Sequence, residues 1–82
     1  MFTVYILYSV AFDSFYIGYS ADVIKRLEQH NTGLTKSTKG RRPWKVVYTE
    51  EFSPLTEAVQ RERFLKNQKN KDFYKRLTGI IK

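Results

Sequence analysis

Two short runs of β-branched and aromatic residues open the chain, Thr3–Ser9 and Ser14–Ser20, and only Val10-Ala11-Phe12-Asp13 lies between them. Such a pattern reads as a β-hairpin. If Ser9 pairs with Ser14, Leu7 faces Tyr16 and Tyr5 faces Gly18. Paired residues share a face, so Tyr5 and Tyr16 then project on one side of the sheet. Gly18 opposite Tyr5 leaves open space beside that ring. A register one residue away would put the two tyrosines on opposite faces, so their meeting is conditional on this pairing.

Beyond the hairpin, Ser20 or Asp22 caps a helix running to about Asn31, with Gly33 as its stop signal. Its apolar stripe is Val23, Ile24 and Leu27, bordered by Arg26 and His30, which are four apart and so neighbours on one face. Thr32–Arg42 is a polar loop carrying Lys36, Lys39, Arg41 and Arg42; Pro43 closes it, and Trp44–Phe52 supplies a third strand. Ser53-Pro54 reads as an N-cap followed by proline at the first helical position, opening a helix to roughly Asn67. A last helix, from about Lys71 to Leu77, is capped by Asn70. The expected fold is mixed α/β (α+β), a three-stranded antiparallel sheet flanked by helices in the order β-β-α-β-α-α.

Composition narrows the function classes. A chain of 82 residues is one domain's worth, 1–82, and its 41% hydrophobic and 16% aromatic content is enough to fold unaided. With no cysteine, disulfides, thiolate zinc sites, iron–sulfur clusters and a cysteine nucleophile all drop out. One histidine excludes a multi-histidine metal site. No apolar run approaches the ~20 residues of a membrane span, and the start lacks a basic segment and a small-residue cleavage site. The expectation is a cytoplasmic protein with no secretory signal. Fifteen Lys+Arg against eight Asp+Glu give a net +7. That excess points to a polyanion, nucleic acid first, although a solvated basic surface would account for it equally.

The second helix holds an anomaly. Leu55, Ala58, Val59 and Leu65 form its buried stripe, and at about 100° per residue Glu62 falls inside that arc, with Lys66 close by. A carboxylate turned towards a core costs several kcal/mol unless it is paired, hydrogen-bonded or bound to a cation. Either an ion pair with Lys66 or Arg26 or a functional carboxylate satisfies the pattern.

Tyr5 and Tyr16 on paired strands, Arg26 and His30 on the next helix, and inward-pointing Glu62 together resemble, in order and spacing, the GIY-YIG nuclease domain. The resemblance runs from Val4 to about Lys71. The second signature is intact as Tyr16-Ile17-Gly18; Thr3-Val4-Tyr5 stands where the family has Gly-Ile-Tyr, keeping the tyrosine. Further matches are Arg26-Leu27-Glu28-Gln29-His30-Asn31, Arg42-Pro43-Trp44-Lys45-Val46-Val47-Tyr48, and Glu57-Ala58 followed by Arg61-Glu62 and Leu65-Lys66. The pattern is most similar to the small stand-alone members of the family.

The resemblance implies a metal-dependent endonuclease acting on DNA more readily than RNA, including structured or repair-intermediate DNA. Glu62 would hold one divalent ion, Mg²⁺ or Mn²⁺. Arg26 would clamp the phosphate. Tyr5 or Tyr16 would position or deprotonate the attacking water, with cationic neighbours lowering its pKa, or His30 would itself be the base. Lys25, Lys36, Lys39, Arg41, Arg42, Lys45 and Lys66 would contact nucleic acid. Lys69, Lys71, Lys75 and Arg76 read as a solvated face, Asn31 and Gly33 as a helix end, and Trp44 as a packing anchor under the loop. Taken singly, each has an ordinary reading: strand tyrosines pack, and a helix edge carries Arg and His in solvent. Two other functions fit the same residues, a non-catalytic nucleic-acid-binding module and a subunit that needs a larger protein partner. No exposed apolar stripe asks for a second copy, so a monomer is expected.

Overall fold

A computed structural model describes residues 1–80. The elements are β1 (Phe2–Ser9), β2 (Ser14–Ser20), α1 (Val23–Asn31), a short 3₁₀ turn over Lys39–Arg41, β3 (Lys45–Phe52), α2 (Leu55–Gln68) and α3 (Lys71–Thr78). The strands form one antiparallel sheet in the order β2-β1-β3. Ser9 pairs with Ser14, Leu7 with Tyr16 and Tyr5 with Gly18. The condition that puts both tyrosines on one face is therefore met.

Central β1 is buried without interruption from Val4 to Ser9. A strand covered on both faces has no solvent side and needs no polar alternation. On one face Val4, Ile6 and Ile17 pack with Ala58 and Leu65 of α2 and Tyr74 of α3. On the other, Tyr5 and Leu7 pack with Trp44, Tyr16, Val46 and the α1 residues Val23 and Leu27. Ile6 pairs with Tyr48 but Leu7 with Val46, so Val47 is an extra residue in β3. This bulge turns Val46 towards α1 while Val47 joins Tyr48 on the α2 side.

The helix ends follow the capping residues. Asp22 caps α1, its carboxylate accepting from the Lys25 N–H at 3.0 Å. Asn70 caps α3 through the N–H groups of Asp72 and Phe73. Gly33, at φ +84°, follows α1 in the left-handed region that ends helices. At α2 the start is one residue later than expected. Pro54 itself is extended (φ −82°, ψ 139°) and takes the N-cap position, leaving Ser53 outside and the cap without a side-chain bond.

Two stripe residues depart from expectation. Ile24 is 83% exposed, because the inward arc of α1 runs through Val23, Leu27 and His30; His30 lies inside it rather than at its border. Leu55 is 44% exposed, since burial on α2 begins a turn later at Ala58. Arg61 donates from Nε and Nη2 to the two Glu50 carboxylate oxygens at 2.9 and 3.0 Å, and Tyr48 donates to the same carboxylate. That forked pair locks α2 to β3 and fixes the rotation of the helix about its axis. Among the described residues no helix is long and apolar enough to cross a membrane.

Candidate active site

Tyr5, at the middle of β1, is almost fully buried, and its ring runs over the space that Gly18 leaves. Its Oη lies 3.2 Å from Nε2 of His30. The other ring nitrogen, Nδ1, lies 2.8 Å from Oγ1 of Thr38, and Thr38 Oγ1 lies 3.3 Å from the Thr35 carbonyl oxygen. A carbonyl only accepts, so the single hydroxyl hydrogen of Thr38 goes to Thr35. Thr38 then accepts from Nδ1–H, and Nε2 carries the lone pair that accepts from Tyr5. The hydrogen-bond chain thus selects the tautomer with the proton on Nδ1.

Burial, and after it the Arg26 guanidinium, push the His30 pKa below its ordinary value, so the imidazole is neutral at pH 7. Burial raises the Tyr5 pKa by more than the neighbouring Arg26 and Lys66 lower it, so Tyr5 holds its proton in the free protein. In the hydrogen bond between them Tyr5 donates and Nε2 of His30 accepts.

Above this pair lie more accessible groups. Tyr16 is half-buried, its ring centroid 4.8 Å from that of His30, and among the described residues its hydroxyl has no hydrogen-bond partner. The two tyrosines sit close enough that charge on Tyr16 opposes ionisation of Tyr5. Arg26 donates to Gln29 Oε1 at 2.7 Å while its charge bears on both Tyr5 and His30. Glu62 has a side chain only 12% exposed, and its Oε2 lies 2.9 Å from Nζ of Lys66, whose side chain is 48% exposed. Of the two partners the sequence offered Glu62, Lys66 takes the place. The pair reaches the site: Lys66 is held protonated first by Glu62 and further by Tyr16 and Tyr5. Tyr5, Tyr16, Arg26, His30, Glu62 and Lys66 thus come together.

No group of three or more His, Cys, Asp or Glu side chains is placed to cage a metal among the described residues. The donor set nevertheless fits a hard, hydrated cation. Glu62 is a single carboxylate with one oxygen free of protein partners among the described residues, and the half-exposed Lys66 ammonium stands at the other. Mg²⁺ is commonly held by one or two carboxylates, with waters and substrate phosphates completing its shell.

Lys25, Lys36, Lys39 and Lys45 are exposed outside this network. Arg41 and Arg42 are exposed as well, but both brace the loop. Arg41 donates to Ser14 Oγ at 3.2 Å and to the Ser37 carbonyl at 3.1 Å, and Arg42 Nε donates to the Lys39 carbonyl at 2.8 Å. Trp44 is buried under the loop and donates from Nε1 to the Thr38 carbonyl at 2.9 Å, as a packing anchor should. Four supporting residues were not singled out for these roles. Thr38 orients His30 from a loop whose composition carries no signal. Asn31 bonds the backbone of Trp44, and the Arg61–Glu50 pair aims α2, and with it Glu62, from across the sheet.

The family model for the GIY-YIG catalytic domain matches residues 1–77. A UPF0213 protein of Listeria monocytogenes is 46% identical over 65 residues, spanning 76% of this chain and 73% of its own length. The UPF0213 protein YazA of Bacillus subtilis is 42% identical over 65 residues, 76% of this chain and 66% of its own. Among solved structures, the solution NMR structure of a UPF0213 protein from Bacillus halodurans superposes with a TM-score of 0.58 at 32% identity. It covers 98% of this chain and 86% of that one.

Proposed function

The chain belongs to the GIY-YIG catalytic-domain family, whose members are nucleases, and from that premise we propose that it is a divalent-metal-dependent endonuclease cutting DNA in preference to RNA. The observation that carries this reading is the buried chain Tyr5–His30–Thr38 lying beside Arg26, Tyr16 and the Lys66 that pairs with Glu62. A merely structural histidine has no need of a neutral Nε2 aimed at a tyrosine in a cationic cleft.

Hydrolysis joins a water oxygen to phosphorus and breaks the bond to the leaving 3′-oxygen, which takes up a proton from solvent to become a hydroxyl. Tyr16, the tyrosine that solvent reaches, holds the attacking water. The proton released passes to the Tyr5–His30 pair, where the neutral Nε2 accepts it, and Thr38 keeps the ring in the tautomer that can do so. Arg26 is permanently charged and binds the phosphate as its negative charge builds. Glu62 would hold the ion. When bound, that ion supplies Lewis-acid stabilisation of the phosphate and of the leaving oxygen. Lys66 releases Glu62 and turns to phosphate. The basic loop adds backbone contacts that position nucleic acid without reading its sequence.

The test is cleavage of labelled branched DNA, linear duplex and single-stranded RNA in Mg²⁺, Mn²⁺ and EDTA, beside Glu62→Ala and His30→Gln. Cutting that needs metal and disappears in both variants is the expected result. A protein that binds equally well in EDTA and never cuts is a binding module, and the proposal fails.

A further inference from the structure

Phe12 has no role in the core. It stands 53% exposed at the tip of the β1–β2 hairpin, where a buried aromatic would be expected to find a partner. It faces the basic loop instead. Between them lies an open cleft of about 460 Å³ lined by Phe12, Asn31, Lys39, Gly40, Arg42 and Pro43. Among the described residues no carboxylate lines it. One wall carries the Phe12 ring, the other two cations, and at Gly40 an added Cβ would meet nothing within 4 Å. Arg42 is already held by its bond to the Lys39 carbonyl, so its guanidinium is pre-positioned.

We propose that this cleft takes a single unpaired nucleotide, its base stacked on Phe12 and its phosphate met by Lys39 and Arg42. A base within a duplex has both faces covered by its neighbours, whereas a bulged, flipped or single-stranded base can offer one to a side chain. The Asn31 amide is committed to the backbone of Trp44, so the cleft has no free amide to read a base edge and accepts any base. Asn31 follows His30 in the chain and Lys39 follows Thr38, which seats the nucleotide beside the catalytic layer. The inference rests on the nuclease reading and narrows it to nucleic acid unpaired near the cut.

The experiment measures binding in EDTA, where nothing is cut. The probes are single strands, perfect duplexes and duplexes with one bulged 2-aminopurine, each as DNA and as RNA. The bulged and single-stranded probes should bind more tightly than the perfect duplex, with 2-aminopurine fluorescence quenched by stacking. Phe12→Ala should weaken those two by about tenfold and leave the perfect duplex unchanged, and Phe12→Trp should retain them. Gly40→Leu, which the backbone accommodates, should imitate Phe12→Ala by filling the cleft. Equal binding of the bulged probe by wild type and Phe12→Ala overturns the inference, as does an equal loss on perfect duplex. Failure of the nuclease reading looks different: Phe12-dependent binding persists, but added metal produces no cleavage.

Discussion

Gly18 is the seat of Tyr5: a Cβ at this position would stand 2.7 Å from Tyr5 Oη, 2.8 Å from its Cζ and 3.3 Å from Tyr16 Cε2. Its φ is not in the left-handed region, so the glycine serves space rather than backbone conformation. The tyrosine of one signature strand thus depends on the glycine of the other, and the hydroxyl reaches His30 only because nothing stands in its path.

Gly18→Ala should therefore displace the Tyr5 ring and break its bond to His30. The Tyr5 ring has no room to retreat within a packed core, so the variant should lose about 1–3 kcal/mol of stability. Cleavage should fall by more than that loss of folded protein explains. Urea denaturation read beside cleavage per folded molecule checks this, and an unchanged midpoint with full activity would contradict it.

The pH dependence follows from His30. Its folded pKa lies below the ordinary 6.5, while the unfolded chain takes up its proton near that value. Between the two the unfolded state binds more protons, so this stabilisation is complete above the unfolded pKa and is lost as pH falls through the folded one. Urea midpoints from about pH 8 to about pH 5 should decline more steeply for wild type than for His30→Gln. Cleavage should hold level down through the ordinary histidine value and fail only in more acid solution. An acid limb centred on that ordinary value would mean that His30 is not the base.

The strand pairing and the order of elements are readable in the sequence because their causes are local: alternation, a four-residue connection, capping residues at helix starts. Glu62 is readable too, as a charge at a core-facing position. What is not readable depends on partners distant in the chain. Ile24 looks like core until α1 is placed with Leu27 and His30 inward. Tyr5 looks like a tyrosine that cations would acidify until its burial is known, and burial outweighs them. Thr38 and Arg61 acquire their roles only when the loop folds onto His30 and α2 meets Glu50, and no periodicity encodes either meeting.

Lys66 sits on the carboxylate that the ion would use, so it should act in two opposing ways. Lys66→Met removes a competitor for Glu62, and the Mn²⁺ concentration giving half-maximal cleavage should fall. The same change removes a cation from the phosphate path, so KM for nucleic acid should rise. Because the ammonium is half exposed, stability should change by no more than about 1 kcal/mol. If metal requirement and KM both stay at wild-type values, Lys66 has no part in the site.

Asn31 holds α1 to the sheet. Its Nδ2 donates to the Trp44 carbonyl oxygen at 3.0 Å, and its Oδ1 accepts from the Trp44 N–H at 2.6 Å. Both ends of an amide are used, so the site wants asparagine and not an acid or a small residue. The clasp joins the last residue of α1 to the residue preceding β3, closing the loop that carries Thr38, while the Trp44 indole bonds the Thr38 carbonyl from below. Asn31→Ala leaves a partly buried donor and acceptor unpaired and should cost about 1–3 kcal/mol. Asn31→Asp keeps the acceptor, loses the donor and brings a carboxylate against a carbonyl, so it should not rescue. Both variants should loosen Thr38 from His30 and lower cleavage more than they raise KM, because Arg26 and Lys66, the proposed phosphate contacts, lie outside the clasp. NMR of the His30 ring gives a direct reading. Wild type should show a single neutral tautomer with the proton on Nδ1, and Asn31→Ala a mixture of the two. Were Asn31→Ala to keep the wild-type tautomer and activity, the loop would be holding Thr38 in place without the clasp.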